Sequence, residues 1–321
     1  MRIAITGGTG FVGRHLAAAL SADGHEVALI ARGTDQRDLT ARSLPGATFA
    51  QAGVTNREDL TRAFVGCHAV AHCAGINREL GEQTYQRVHV EGTEAVVEAA
   101  RAAGVQKIVV LSFLRARPSC GSPYHESKWA AEEIVRDSGL DYTVIKAGMI
   151  YGRGDHMLDH ISHALFTFPI FPLVGRERLA RPLAVEDLVR VLTAALVQGR
   201  LTRKTVAITG PEELPLSEVI RRVEDVIDRP RPMIRLPAAA HYVMARIFEW
   251  TMVVPLVSTA QVRILTEGMT EALPFATPLP DDLQPRLALT PEQIRIGLPE
   301  PGRFALRDLR WCQTGNALGA S

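Results

Sequence analysis

Residues 2–13 read Arg-Ile-Ala-Ile-Thr-Gly-Gly-Thr-Gly-Phe-Val-Gly, and this stretch decides the fold. Its apolar start has the composition of a short buried strand, and apolar residues at helical spacing follow at positions 16, 17 and 20. Three glycines separate the two elements. Gly7 permits a tight turn, Gly10 lets a ligand approach the backbone, and Gly13 lets the helix pack close to the strand.

A glycine-rich turn between a strand and a helix predicts a dinucleotide site. The first N–H groups of the helix and its positive dipole end attract the pyrophosphate. The alternative is a tight strand–helix turn that binds no ligand. The residues of this turn predicted to contact the cofactor are Gly7, Thr9, Gly10, Phe11, Val12 and Gly13.

The first 150 residues alternate apolar strands with amphipathic helices, which predicts a parallel sheet covered on both faces. The fold class is therefore α/β, a doubly wound Rossmann sheet, followed by a smaller, mainly helical C-terminal domain. The predicted strands are 2–6, 26–31, 47–50, 69–73, 107–111 and 142–146, and the predicted helices are 11–22, 57–64, 82–103 and 124–138.

After residue 150 prolines become frequent and the alternation weakens. We expect residues 1–150 to form the NAD(P)-binding domain, with about 181–210 returning to it, and residues 151–321 to form the substrate-binding domain. Residues 236–265 are unusually apolar. This segment predicts a pair of buried helices, with a wall of an apolar substrate pocket or a membrane-surface contact as the alternatives.

Composition excludes several classes of function. Lys and Arg number 36 against 35 Asp and Glu, and this balance gives no support to nucleic-acid binding. The four cysteines form no C-x-x-C pair, so neither a zinc site nor a redox motif is indicated. Few cysteines and a first strand that starts at residue 2 predict a cytoplasmic protein, with membrane-peripheral attachment compatible with the apolar C-terminal half.

The end of the second predicted strand indicates the cofactor. An NAD site carries a carboxylate there to hold the ribose 2′-hydroxyl, whereas this chain has Arg32. A guanidinium suits a 2′-phosphate, so we predict NADP(H) in preference to NAD(H), with Thr34 and Arg37 as helpers. The alternative is a surface arginine beside a loop.

A Tyr-x-x-x-Lys pair, Tyr124 and Lys128, follows the fifth strand on one face of a helix. A lysine near the phenol is expected to lower its pKa, so that Tyr124 exchanges a proton with a carbonyl or carbinol oxygen. Ser112, at the end of the fifth strand, is the candidate that orients this oxygen, with Ser119 and Ser122 as rivals. The predicted catalytic residues are Tyr124, Lys128 and Ser112.

With these motifs in this order, the chain resembles the extended or atypical short-chain dehydrogenases/reductases. Within that superfamily it is most similar to the group of the NAD(P)H-binding accessory subunit of respiratory complex I and its bacterial relatives. The resemblance implies that Cys73, Ala74 and Gly75 line the adenine and ribose, and that Lys128 also binds the nicotinamide ribose. It implies a small to medium apolar substrate of lipid, isoprenoid or quinone type, and it is compatible with a homodimer.

Two other functions are kept as alternatives: a nucleotide-sugar epimerase or dehydratase, and a non-catalytic NADPH-binding structural or sensor subunit. Two departures from the family pattern bear on the site. Gly53 stands where an adenine-contacting Asp is usual, and His89 replaces a helix Asn, which we interpret as a packed residue rather than a relay. His156, His160 and His163 share a helix face, and we assign them a polar or substrate-contact role and no metal.

Overall fold

The computed structural model describes residues 1–33, 40–252, 255–274, 276–305 and 308–309. Its strands are β1 Arg2–Thr6, β2 Glu26–Ala31, β3 Ala47–Gln51, β4 Ala69–His72, β5 Lys107–Phe113, β6 Asp141–Ala147, β7 Ile150–Tyr151, β8 Phe171–Val174, β9 Leu179–Ala180, β10 Leu183–Ala184, β11 Lys204–Ile208, β12 Leu214–Pro215 and β13 Met233–Leu236. Its α-helices are α1 Phe11–Ala22, α2 Arg57–Phe64, α3 Gly92–Ala102, α4 Pro123–Arg136, α5 His156–Thr167, α6 Val185–Val197, α7 Leu216–Ile227, α8 Ala238–Thr251, α9 Thr259–Glu267 and α10 Pro291–Gly297.

Seven strands form one parallel sheet in the order β11-β6-β5-β4-β1-β2-β3. The predicted doubly wound α/β fold is confirmed. The strand order reverses between β1 and β4, and ligands of such sheets bind in the crevice outside the carboxyl ends of the strands at this point. The glycine turn after β1 and the Cys73–Gly75 segment after β4 both lie there.

The chain divides into two compact units. The first contains Met1–Gly148, Val185–Ile208 and Glu271–Pro285, and the second contains Met149–Ala184, Thr209–Thr270 and Arg286–Ser321. No pattern in the sequence predicts the return of 271–285 to the first unit, where the amide of Thr277 donates to the carbonyl of Thr205 in β11 at 2.9 Å.

Each unit has its own apolar core. In the first unit, strand residues Val70 and Ile108 pack with Phe64 of α2 and Val96 of α3, all of them fully buried. The core of the second unit is built from Tyr151, Leu158, Leu165, Val219 and Val223, among others. The alternation of apolar strands and one-sided helices is what buries both faces of the sheet.

One predicted helix differs from the structure. A helix over 82–103 was expected, but a π-helical segment, Gln86–Glu91, leads into α3 instead. Residues 79–84 lie outside the helix because Leu80 and Gln83 form an antiparallel bridge and the Tyr85 amide donates to the Glu79 carboxylate at 2.8 Å. π-Helical segments occur often at functional sites.

Within the described residues, none of the helices combines the length and the apolar character that crossing a bilayer requires.

Candidate active site

The glycine turn has the geometry of a phosphate cradle. Gly7 has φ +68°, and a Cβ atom there would lie 2.9 Å from the backbone of Ala74. A Cβ atom at Gly13 would lie 2.2 Å from the carbonyl oxygen of Gly7. Gly10 is exposed and is the N-cap of α1, with no side-chain capping hydrogen bond. Its open helix N-terminus fits an anionic pyrophosphate.

The remaining predicted residues of the turn lie in it and in the first turn of α1. Thr9 and Val12 are buried, and Phe11 is half-buried with its ring against His15 at a centroid distance of 5.5 Å. Their contribution to the cradle therefore comes from the backbone. Their contact with the cofactor stays a prediction.

Cys73, Ala74 and Gly75 follow β4 and border the glycine turn. The Cys73 amide donates to the Thr6 carbonyl at 3.1 Å. Burial raises the pKa of the Cys73 thiol to about 12, so it is neutral and unreactive at physiological pH. A Cβ atom at Gly75 would lie 3.0 Å from the Lys128 Nζ, which places this segment beside the Tyr-Lys helix.

Arg32 follows the last residue of β2 and is exposed. The side chain of Gln51, at the end of β3, donates to the Arg32 carbonyl at 3.0 Å and thereby fixes the backbone of this corner. The two predicted helpers, Thr34 and Arg37, lie outside the described residues. Gly53 has space around it, since a Cβ atom there would meet nothing within 4 Å.

Tyr124 and Lys128 lie on the first two turns of α4, which begins with Pro123 as its first helical residue. The Lys128 Nζ donates to the Leu111 carbonyl of β5 at 3.3 Å. Burial lowers the pKa of Lys128 to about 8, and the Glu132 carboxylate offsets part of that effect. Near neutral pH this lysine is a cation in a weakly solvated place, which is suited to binding polar oxygens.

The predicted lowering of the Tyr124 pKa is wrong for this structure. Tyr124 is 8% exposed, and the rings of Tyr85, His89, Phe113 and His125 surround it at centroid distances of 5.6–5.8 Å. Burial raises the pKa of its phenol, and nearby Tyr85 raises it further. Tyr124 is therefore a neutral phenol, a form that donates a proton and does not accept one.

The hydroxyl of Ser112 has a partner that the sequence did not predict. It donates to Oε1 of Glu132, on α4, at 2.5 Å. The same oxygen accepts from Lys146 Nζ at 2.9 Å, and Oε2 accepts from Arg136 at 2.6 Å. The Glu132 side chain is 0% exposed and that of Lys146 is 1% exposed. Because Ser112 gives its only proton to Glu132, it offers lone pairs elsewhere.

Two buried histidines tie the segments of the site together. His89 Nε2 accepts from the Ile76 amide at 3.1 Å, so its proton lies on Nδ1, which contacts the Ser127 hydroxyl at 2.9 Å. Ser127 in turn donates to the Tyr124 carbonyl at 3.0 Å. Burial, with a contribution from Lys128, lowers the pKa of His89 to about 2. A neutral, fully bonded ring is what the packing interpretation expects.

The second histidine, His72, bridges β1 and α3. Its Nδ1 contacts the Thr6 hydroxyl at 2.7 Å, and its Nε2 contacts the Thr93 hydroxyl at 3.1 Å. Thr93 donates to the His89 carbonyl at 2.5 Å, so its oxygen accepts from His72. Burial lowers the pKa of His72 to about 3. A small cavity lies here, lined by both histidines together with Ser112, Lys128 and Thr93.

Sequence reasoning missed Glu132, Lys146 and the role of His72. The spacing of Glu132 could have indicated its place in the site. It is four residues after Lys128 and eight after Tyr124, and therefore on the same face of the helix. A lysine inside the apolar strand β6 was a second signal, since a buried cation requires a partner.

The histidines of the second unit are not arranged as a metal centre. His163 is hydrogen-bonded to the Asp159 carbonyl at 2.7 Å, and burial lowers the pKa of His160 to about 4. Asp155 caps α5 by accepting from the Leu158 amide at 2.7 Å. In the part of the chain that the structure describes, no group of three His, Cys, Asp or Glu side chains could hold a metal ion.

Comparison with known proteins agrees with this geometry. Residues 7–161 match the NAD(P)H-binding family. This matched stretch is just under half of the chain, and over it the chain is similar to NAD(P)H-binding proteins. The chain is 29% identical to the ceramide reductase of Caulobacter vibrioides over 239 residues, which are 73% of each protein. It is 26% identical to the mouse mitochondrial NADH dehydrogenase [ubiquinone] 1 alpha subcomplex subunit 9, over 68% of this chain and 59% of that protein.

An uncharacterized protein of Mycobacterium tuberculosis is 29% identical over 237 residues, which are 74% of this chain but only 24% of that protein. The chain therefore spans about a quarter of the length of this relative. Among solved structures, the UDP-glucose 4-epimerase of Thermotoga maritima superposes with a TM-score of 0.68 at 17% identity, over 92% of this chain and 97% of that one.

The UDP-glucuronic acid 4-epimerase of Bacillus cereus, solved with NAD, superposes with a TM-score of 0.63 at 20% identity, over 74% of this chain and 87% of that one. At these identities the structures establish the shared fold. The family match and the glycine cradle together make NAD(P)(H) the cofactor of this chain.

Proposed function

We propose that this protein is an NADP(H)-dependent oxidoreductase that reduces a carbonyl, or oxidises the matching alcohol, on an apolar substrate of lipid, isoprenoid or quinone type. The observation that carries the proposal is the placement of Tyr124 and Lys128. Both lie on α4, at the carboxyl ends of the sheet strands, where the glycine cradle also lies. Lys128 borders the Cys73–Gly75 segment there. The name of the Caulobacter relative supports a lipid carbonyl or alcohol as substrate.

The chemistry of the residues favours reduction. When bound, the cofactor supplies or takes up the hydride. Tyr124 holds its proton at neutral pH, since burial raises its pKa. It therefore serves as the acid that protonates the carbonyl oxygen as that oxygen gains negative charge. Lys128 stabilises this charge and binds the nicotinamide ribose, and Ser112 accepts a hydrogen bond from the alcohol form.

Arg32 supports the choice of NADP(H) over NAD(H). It is exposed at the end of β2, where an NAD site carries a carboxylate. A charge-assisted hydrogen bond to a phosphate contributes about 1.5–3 kcal/mol, which is about a 10- to 150-fold change in affinity. We expect Arg32→Ala to raise the dissociation constant of NADPH by this factor and to leave that of NADH unchanged. The matched control is Arg57→Ala, an exposed arginine paired with Glu98.

Turnover is tested on the purified, cofactor-free protein with NADPH and a panel of long-chain ketones, isoprenoid aldehydes and quinones. Tyr124→Phe should lower kcat by about 10²–10⁴-fold while the NADPH dissociation constant stays within twofold. An equal affinity of the wild type for NADPH and NADH would refute the role of Arg32. Net turnover that survives Tyr124→Phe would refute the proposed acid.

The geometry also favours one alternative, a non-catalytic NADPH-binding subunit. Tyr124 is packed among four rings, and the Ser112 hydroxyl is directed to Glu132, so neither group is freely presented to solvent. This alternative predicts tight NADPH binding with no turnover on any member of the panel. The nucleotide-sugar epimerase or dehydratase alternative predicts copurifying NAD⁺ and no net consumption of cofactor.

A further inference from the structure

Helix α8, in the second unit, has apolar side chains on its exposed face. His241 and Ala245 form the buried face. On the opposite face the side chains of Val243, Ile247 and Trp250 are 60%, 50% and 69% exposed. They are four and three residues apart, so they form one stripe along the helix. A contiguous exposed apolar stripe of this kind marks a surface that contacts an apolar partner.

Among its described residues, this stripe includes one charged side chain. Arg246 is exposed within it. The carboxylate of Glu249 is on another side of the helix, where it accepts from the amide and the hydroxyl of Thr259, at the start of α9, at 2.8 and 3.0 Å. The exposed face of α8, Val243, Arg246, Ile247 and Trp250, therefore combines apolar side chains with a cation and no carboxylate.

Other exposed apolar side chains lie in the same unit, on β13, which precedes α8, and just before its partner strand β8. Ile234 of β13 is 42% exposed. β13 pairs with β8, and Ile170 and Phe168, just before β8, are 43% and 37% exposed. Because scattered exposed apolar residues are normal, the inference rests on the stripe of α8 itself.

We propose that the exposed face of α8 docks the protein on a bilayer that contains anionic phospholipid. A helix of fourteen residues is about 21 Å long, which is shorter than the roughly 30 Å hydrocarbon core. It therefore lies in the plane of the interface and does not cross it. Trp250 occupies the headgroup boundary, the usual place of membrane tryptophans, and Arg246 contacts lipid phosphates. The inference rests on this surface and does not depend on the proposed reaction.

The test is cosedimentation with vesicles of phosphatidylcholine alone and of phosphatidylcholine with phosphatidylglycerol. Wild type should bind the anionic vesicles, and a variant with Val243→Ser, Ile247→Ser and Trp250→Ser should bind at least tenfold more weakly. Arg246→Ala should lose about fivefold in affinity for anionic vesicles. The matched controls are Ile296→Ser and Val65→Ser, which remove exposed apolar side chains elsewhere and should bind like wild type; their side chains are 51% and 60% exposed.

Tryptophan fluorescence gives a second measurement. The chain has three tryptophans, so vesicle binding should shift the emission of wild type to shorter wavelength, and Trp250→Phe should bind but lose the shift. An unchanged NADPH dissociation constant shows that each variant is folded. Equal binding of wild type and the triple variant overturns the proposal. So does a triple variant that only converts a dimer to a monomer in light scattering, because this face would then be a subunit interface.

Discussion

The buried carboxylate of Glu132 gives the sharpest test of the interior of the first unit. It accepts from Ser112, Lys146 and Arg136, and its side chain is 0% exposed. Glu132→Gln keeps the shape of the side chain and removes its charge. Lys146, whose side chain is 1% exposed, is then a buried cation with the Ala116 carbonyl, at 2.8 Å, as its partner.

The loss of stability depends on which cation loses its carboxylate partner. Removing one partner of a buried ion pair costs about 3–5 kcal/mol. The lower end applies, because Arg136 is 20% exposed and keeps its contact with Glu133. We therefore expect the free energy of unfolding to fall by about 3 kcal/mol and Tm by about 6–12 °C.

The assay is urea unfolding followed by far-ultraviolet circular dichroism. The matched control is Glu133→Gln, the next residue on the same helix, which pairs with the same Arg136 but is 46% exposed. An exposed pair contributes less than about 1 kcal/mol, so the control should unfold almost like wild type. Equal losses for the two variants would falsify the assignment of Glu132 as the centre of a buried network. Adding Lys146→Met to Glu132→Gln should recover part of the loss, since the unpaired cation is then gone.

Three further predictions concern the site. Lys128 should titrate near pH 8 in NMR spectra of the lysine side chains. Its signal is identified as the one that is lost in Lys128→Arg. A pKa near 10.5 would contradict the burial of this side chain. Because its pKa in the folded state lies below the ordinary 10.5, stability should rise between about pH 8 and 10.5 in wild type and less so in Lys128→Met. Gly13→Ala should destabilise the fold and abolish NADPH binding, because its Cβ atom would lie 2.2 Å from the Gly7 carbonyl oxygen. The control is Gly53→Ala, whose Cβ atom would meet no other atom within 4 Å, and this variant should unfold like wild type.

The sheet could be predicted from the sequence because its signals are local. The strands of the first 150 residues are short apolar runs, and each predicted strand agrees with an observed one to within two residues at either end. The glycine spacing was equally informative, since the close approach of Gly13 to the Gly7 carbonyl leaves no room for a side chain. Periodicity and glycine sterics act within a few residues, so one sequence contains them.

The interior of the site could not be predicted, because it depends on contacts between distant residues. Ser112 meets Glu132 across twenty positions, and His89 meets Ser127 across thirty-eight. The pKa of Tyr124 shows the same limit. A lysine four residues away favoured a lowered value, whereas rings from other segments enclose the phenol, and burial raises it. The sequence therefore predicted that Tyr124 and Lys128 share one face of α4, but it did not predict how far water is excluded from that face.

Ser112 is the residue for which sequence and structure suggest different roles, and the two are separable. If it only anchors Glu132, Ser112→Ala loses a hydrogen bond to a charged group, which costs about 1.5–3 kcal/mol of stability. The folded enzyme would then keep its kcat. If Ser112 also accepts a hydrogen bond from the substrate alcohol, Ser112→Ala lowers kcat beyond any effect on stability. Ser112→Thr, which keeps the hydroxyl, restores kcat in that case. A kcat that is unchanged in both variants would remove Ser112 from the catalytic residues and leave Tyr124 and Lys128 as the pair that does the chemistry.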